Sequence, residues 1–319
     1  MTTTDETLPL GLYEHLKSAS LMGRAIPEGA QWQEEILKKD DYNIPELLTQ
    51  FFATQLTPAL ESLKTPADQV ELVNRMMALL PQEADEQNDS LLTDDDSNVI
   101  QMRELALTDA KTARPDIPLS DVALMTNTSK DLNLNTEIQK ELESADRVDL
   151  LCSFLKMSGV NSLSEQLKAI KNRGIPFRII TTTYMGATDR KAIDRLVEEY
   201  GAEVKISYQG DSTRLHAKAW LFHRNTGMST GYVGSSNLSS AALTDGLEWN
   251  VRISSPITPG LIRQFEGMFE SYWKSGDFTL YTASDQEKQE LDTALAKADI
   301  TGRKSKGLEY DIDSSLLDV

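Results

Sequence analysis

One cysteine, three histidines and no apolar run near the roughly 20 residues of a membrane-spanning helix limit what this 319-residue chain can be. A lone Cys152 closes no internal disulfide and supplies no thiolate cluster, so a disulfide scaffold and a cysteine-based zinc site are both excluded. Imidazole chemistry must fall on His15, His216 or His223. No GxxxxGK[ST] stretch occurs, so these residues hold no P-loop motor. The N-terminus, MTTTDETLPLGLYEHL, has neither a basic start nor an apolar signal core. With the single cysteine, this leads us to expect a cytoplasmic chain with no membrane partner. Aromatics are sparse at 7%, yet 39% hydrophobic residues permit an ordinary core, and the length suits about two domains.

Basic residues are in deficit too: 32 Lys and Arg stand against 50 Asp and Glu, a net charge of −18. At first sight this disfavours nucleic acid, whose binding depends on neutralising phosphates. The deficit is uneven. Residues 1–129 hold 9 basic and 23 acidic residues, 130–282 hold 18 of each, and 283–319 hold 5 and 9. The middle of the chain is therefore neutral, and the acidic surplus reads as solvated surface elsewhere.

Four regions follow in order. Residues 1–82 read as a mostly helical N-terminal domain. Leu47, Leu48, Phe51, Phe52, Leu56, Leu60 and Leu63 recur at spacings of three and four, Pro58 punctuates them, and Pro66 opens a further helix through Val70, Val73, Met76 and Leu80. Residues 83–130 form an acidic linker and connecting segment. Its run EADEQNDSLLTDDDSN is assigned no metal despite Asp94, Asp95 and Asp96. In residues 131–282 helix and strand patterns alternate. A helix through Leu134, Ile138 and Leu142, capped by Asn135 or Thr136, precedes a strand from Arg147 to Phe154. Then come a helix over 162–173, a strand over 176–182, a helix over 187–200 closed by Gly201, a strand over 202–208, and later a helix within 257–281. The alternation predicts an α/β sheet flanked by helices, with ligands at the carboxyl ends of its strands. Residues 283–319 are expected to be an acidic connector that the fold can spare.

The stretch RLHAKAWLFHRNTGMSTGYVGSSNLSSAALTDGLEWN, 214–250, carries the residue types of a reactive site. Leu215 to Phe222 is apolar apart from His216 and Lys218, which suits a buried strand and puts those two side chains on one face. Tyr232-Val233 then leads into Gly234-Ser235-Ser236-Asn237, a turn whose hydroxyls, amide and backbone N–H groups suit an oxyanion. His216 and His223 are seven apart, on opposite faces of one strand, so they do not pair as zinc ligands.

His-x-Lys followed by Gly-Ser-x-Asn resembles the signature of the phospholipase D superfamily, which cleaves phosphodiesters in nucleic acids or lipids. The resemblance implies a phospholipase-D-like mixed sheet and catalysis with no metal or cofactor. His216 would be the nucleophile, Lys218, Ser235 and Asn237 would hold phosphoryl oxygens, and Glu248 matches an acid that orients a catalytic histidine in many members. His223 stands where the superfamily commonly has Asp, and the gap to Gly234 is longer than usual. Ser236 is a further candidate for substrate contact. Thr183 and Tyr184, in the hydroxyl-rich 181–189 loop, fit a wall of the site or a helix-capping loop. Arg214 fits either a phosphate contact or an ion pair with an acid such as Glu248.

SADRVDLL, ITTTYMGATD, RLHAKAWLFHR and YVGSSNLSSAALTDGLEWNVRI together look like one branch, the phospholipase-D-like nuclease module of bacterial DEAD/DEAH-type helicases, over roughly residues 118–281, with a fainter echo in GLYEHL. That implies a DNA nuclease in genome maintenance or defence against foreign DNA, with a helicase motor in cis or in trans. A two-imidazole mechanism needs two histidines and this chain has one signature, so a homodimer sharing one site is expected. The competing readings are an inactive DNA-binding or targeting module, and a lipid phosphodiesterase, which no basic amphipathic helix supports.

Overall fold

The structure, a computed structural model, describes residues 7–8, 16–31, 44–79, 112–126, 132–208, 215–244 and 248–298. His15, the acidic run 83–98, Arg214 and the end of the expected connector, 299–319, lie outside these residues. The chain divides into two compact units, Met1–Leu107 and Thr108–Val319.

The first unit is helical where described: α1 (Ala19–Met22), α2 (Ile44–Glu61) and α3 (Pro66–Met77). Thr65 caps α3, its hydroxyl accepting the Asp68 N–H at 3.2 Å, and Pro66 follows at the first helical position, where no N–H is missed. Pro58 does not interrupt its helix as expected. It lies inside α2, which gives up one backbone bond there and continues to Glu61.

The second unit is a mixed α/β fold. Its strands are β1 (Ala123–Met125), β2 (Arg147–Cys152), β3 (Phe177–Thr182), β4 (Glu203–Ser207), β5 (Lys218–His223), β6 (Thr230–Gly234), β7 (Asn250–Ser254) and β8 (Thr279–Tyr281). They form one sheet in the order β1-β7-β6-β5-β2-β3-β4-β8. β2, β3 and β4 run parallel, and the other pairings are antiparallel. Helices α4 (Leu134–Ser144), α5 (Met157–Ser162), α6 (Ser164–Asn172), α7 (Arg190–Glu198), α8 (Ser240–Thr244) and α9 (Pro259–Lys274) flank it.

The central strands are buried on both faces, so they read as continuous apolar runs. Val148, Leu150, Ile179, Trp220 and Phe222 point into the main core with Ile138, Leu142, Ile193 and Leu196 of α4 and α7. The alternate residues Leu151, Ile180 and Ala219 pack against Phe269 of α9. Phe177, Trp220 and Phe222 stack in series, with centroids 6.1 and 5.7 Å apart, and Tyr232 meets Phe222 edge-on at 6.0 Å. Such pairs add ~0.5–1.5 kcal/mol each beyond burial.

Several boundaries differ from the sequence reading. Asn133, not Asn135 or Thr136, caps α4, its side chain accepting the Thr136 N–H at 3.2 Å. The helix expected over 162–173 is preceded by α5, and the two meet at Leu163, which is fully buried. Residues 279–281 add the unforeseen edge strand β8, paired with β4. Residues 285–298 are helical, and Leu291 and Leu295 lie in the main core. That part of the expected connector is integral to the fold, because its two leucines fall four apart on one helical face.

Candidate active site

β5 and β6 run antiparallel, so the start of one and the end of the other meet at the same end of the sheet. β2 pairs Cys152 with Lys218, and β2 and β3 are parallel, so their carboxyl ends open there too. Lys218, the first residue of β5, is 6% exposed, whereas His216 lies just before the strand and is exposed. The expected shared orientation of the two nevertheless appears: Lys218 Nζ is 3.1 Å from His216 Nδ1 and donates to the His216 carbonyl at 2.7 Å. Burial pushes the Lys218 ammonium below its usual pKa, opposed by attraction to Cys152 and Glu248.

Phe154, which sequence reading passed over, ties this pair to the Gly-Ser-Ser-Asn turn. Its ring lies edge-on to His216 at 6.3 Å and 5.9 Å from Lys218 Nζ. Its N–H donates to Asn237 Oδ1 at 3.2 Å. The turn is bolted down beyond Asn237. Lys156 N–H donates to the Leu238 carbonyl at 2.8 Å, and Leu238 N–H to Cys152 Sγ at 3.3 Å. Burial pushes the Cys152 thiol up to about 11, so it stays protonated at neutral pH and serves packing, not attack.

Ser235 is exposed at the rim. Its hydroxyl donates to Glu248 Oε2 and accepts the Trp249 N–H at 3.1 Å, and its own N–H donates to the Trp249 carbonyl at 3.1 Å. Glu248 therefore reaches Ser235 in this chain, and not His216. Gly234 is required for this closure, since a Cβ there would sit 2.1 Å from the Trp249 carbonyl oxygen. His216, Lys218, Asn237 and Ser235 thus gather at one sheet end, as a set that could surround an oxyanion, with Glu248 accepting from the Ser235 hydroxyl. Among the described residues no three His, Cys, Asp or Glu side chains are grouped to hold a metal.

Two expected contacts turn inward. Ser236 is buried, donating to the Ala242 carbonyl at 3.3 Å and accepting from Asn250 Nδ2 at 2.8 Å, because successive residues of the turn alternate sides. Thr183 is buried with its hydroxyl on the Ser207 carbonyl at 3.4 Å. In place of the expected substrate contact, both hydroxyls are bonded within the frame. Tyr184 is half-buried at the end of β3, in a 3-10 turn with Met185 at φ 60°. The rest of that loop is structural. Thr188 sits buried against the Ser153 and Thr182 carbonyls, and Asp189 pairs with Lys156 at 3.0 Å and accepts the Met157 N–H at 3.1 Å. Arg214 lies outside the described residues.

His223 sits at the far end of β5 from His216. Its Nε2 is 2.7 Å from Asp149 and its Nδ1 3.0 Å from Glu266 of α9, with Arg147 beside them. Arg178 also grips Asp149, at 2.7 and 2.9 Å. Where the superfamily signature commonly has Asp, this chain has an imidazole that ties the sheet to α9.

Residues 138–273 match the family described as cardiolipin synthase, PLD-like domain. Among solved structures, the chain is similar to Nuc, a phospholipase D family member from Salmonella typhimurium, at 20% identity and a TM-score of 0.40, over 51% of this chain and 99% of that one. It is similar to NucT from Helicobacter pylori at 13% identity and a TM-score of 0.41, over 50% of this chain and 99% of that one. Phosphatidylserine synthase from Haemophilus influenzae aligns at 15% identity and a TM-score of 0.39, over 56% of this chain and 46% of that one. No curated protein matches it.

Proposed function

We propose that the PLD-like domain this chain carries is a metal-independent phosphodiesterase that cleaves DNA through a phosphohistidine. One observation carries the proposal: an exposed imidazole whose Nδ1 is 3.1 Å from a buried lysine, at the sheet end where Asn237 and Ser235 also gather. DNA as substrate rests on the resemblance of residues 118–281 to a helicase-associated nuclease branch, and the motor, in cis or in trans, is the partner that branch implies.

In the mechanism, phosphate entry draws Lys218 from His216 Nδ1 onto a phosphoryl oxygen. That frees the ring to carry its proton on Nδ1 and attack phosphorus with Nε2. Asn237 and Lys218, joined by Ser235 once its hydroxyl turns from Glu248, then hold the oxygens on which charge accumulates. As the N–P bond forms, the P–O bond to the leaving oxygen breaks, and a second imidazolium protonates that oxygen. Water next attacks the phosphohistidine, gives its proton to that imidazole, and releases the phosphomonoester. His223 is engaged with Asp149 and Glu266 at the other end of β5, and His15, although followed by Lys17, has no Gly-Ser-x-Asn segment of its own, so the second imidazole is assigned to His216 of the partner subunit in a C2 homodimer.

The test is incubation with single-stranded, duplex and plasmid DNA, and with phospholipid vesicles, in EDTA, beside His216→Ala. DNA cleavage should survive chelation and fall by at least ~10²-fold in the variant. Cleavage abolished by EDTA and restored by Mg²⁺, or hydrolysis of lipid alone, overturns the reading. Adding excess His216→Ala chains should depress activity faster than the wild-type concentration falls, since mixed dimers lack one imidazole.

A further inference from the structure

We infer that Trp249 is a stacking platform for an unpaired nucleobase beside the reacting phosphate, so that the nucleic acid this site takes is single-stranded. The inference rests on the phosphodiesterase reading above and adds the substrate form.

Trp249 is 66% exposed. It is also held in place. Its N–H and carbonyl are both bonded to Ser235, and Glu248, its neighbour in the chain, takes the Ser235 hydroxyl. A phosphate that draws the Ser235 hydroxyl from Glu248 therefore lies within a nucleotide's reach of the indole. No ring of the described residues stacks on it, in contrast to Trp220 and Trp273, which are paired with Phe222 and Phe269. The next residue, Asn250, turns inward to Ser236, so strand alternation puts Trp249 and Val251 on the other side. There Val251 pairs in register with Val233 and Leu124, and these three are 43%, 43% and 49% exposed. The indole thus stands at the rim of an uncovered apolar face.

Charge points the same way. Residues 130–282 carry 18 basic and 18 acidic residues, and Arg178, Arg224 and Arg252 are spent on buried carboxylates. A duplex presents phosphates and hides its base faces, so it needs the cationic surplus this domain lacks. A single strand exposes base faces, and an aromatic ring binds any of them without regard to sequence.

The test is fluorescence anisotropy on three probes: a 12-nucleotide oligothymidylate, an abasic strand with the same phosphates, and a 12-base-pair duplex. Each is titrated with His216→Ala protein, which prevents turnover, and with the same protein carrying Trp249→Phe or Trp249→Ala. Stacking predicts that Trp249→Ala weakens oligothymidylate about 5- to 150-fold. Trp249→Phe should lose less, and neither change should affect the abasic strand or the duplex, both of which bind more weakly from the start. Oligothymidylate bound equally by all three proteins, or no more tightly than the abasic strand, overturns the inference. So does a change of sedimenting species in Trp249→Ala, which would make the face a contact between protein chains. Hydrolysis of bis(4-nitrophenyl) phosphate by the wild-type chain reports the catalysis separately. Its absence beside the predicted binding pattern would sink the mechanism and leave the platform standing.

Discussion

Glu141 of α4 is fully buried and answers two buried cations. Its carboxylate takes Arg224 Nη2 at 2.5 Å, Thr230 Oγ1 and Tyr232 Oη at 2.8 Å each, and Arg252 Nη2 at 3.3 Å. Arg252 is itself wholly buried, and its remaining bonds go to neutral groups, the Pro118 and Asp121 carbonyls at 2.8 Å and the Tyr232 hydroxyl at 3.1 Å. Glu141→Ala therefore leaves two guanidiniums in the core with no carboxylate, which should cost about 3–5 kcal/mol. Against a total stability of about 5–15 kcal/mol, that is a large fraction. Glu141→Gln keeps the shape and one acceptor but loses the charge, and should fall between wild type and Ala. Replacing Glu141 and Arg252 together by Met removes one of the two stranded guanidiniums but leaves Arg224 without its carboxylate, and should recover part of the loss. The assay is urea unfolding followed by tryptophan fluorescence, with Trp220 stacked in this core as a reporter. A Glu141→Ala midpoint equal to wild type, or a double variant no better than the sum of its parts, would refute the reasoning.

Three further outcomes are expected. Burial pushes the Asp149 carboxyl up, but its bonds to His223 and Arg178 prevail and hold it below the usual carboxylate value. Its stabilisation is therefore complete above the unfolded pKa of about 3.9 and is lost as pH falls through the depressed folded value. Unfolding free energy measured below about pH 4 should drop more steeply in wild type than in Asp149→Asn, and parallel profiles would contradict this. Leu291 has no exposed surface, so Leu291→Ala should cost about 2–5 kcal/mol in the same urea assay, and truncation at residue 282 should destabilise the whole domain. Gly159 touches the turn beyond the site: a Cβ there would lie 2.5 Å from the Leu238 carbonyl and 2.7 Å from Ser239 N. Because those atoms are backbone, Gly159→Ala must displace the turn carrying Asn237, and DNA cleavage should slow by on the order of 10- to 100-fold.

The reasons some features were legible in sequence, and others were not, lie in particular residues. β2, β3 and β5 announce themselves because strands buried on both faces need unbroken apolar runs. His216, Lys218 and Asn237 stand out in the sequence as candidates because the chemistry proposed for them restricts residue type and spacing. Ser235 and Ser236 have the same side chain, and only the alternation within the turn sends one to the rim and the other to Asn250. Glu141 looks in sequence like an exposed polar residue on an amphipathic helix. Its burial depends on Arg224 and Arg252, 83 and 111 residues away, which no local pattern reveals. Leu291 and Leu295 lie in a charged, acidic stretch, and composition hid a two-residue apolar contact with the core. Phe154 carries no reactive group, and its part emerges only when its ring and its N–H are seen to touch opposite sides of the site.

The central claim is that His216 becomes covalently phosphorylated. The direct measurement is mass spectrometry of protein quenched at alkaline pH within the first turnover on a DNA substrate, where a phosphohistidine survives that acid would hydrolyse. The account predicts a nucleotidyl or phosphoryl adduct on His216, formed without divalent metal and absent from His216→Ala. Turnover that proceeds with His216 unmodified, or an adduct on another residue that persists in His216→Ala, would contradict it.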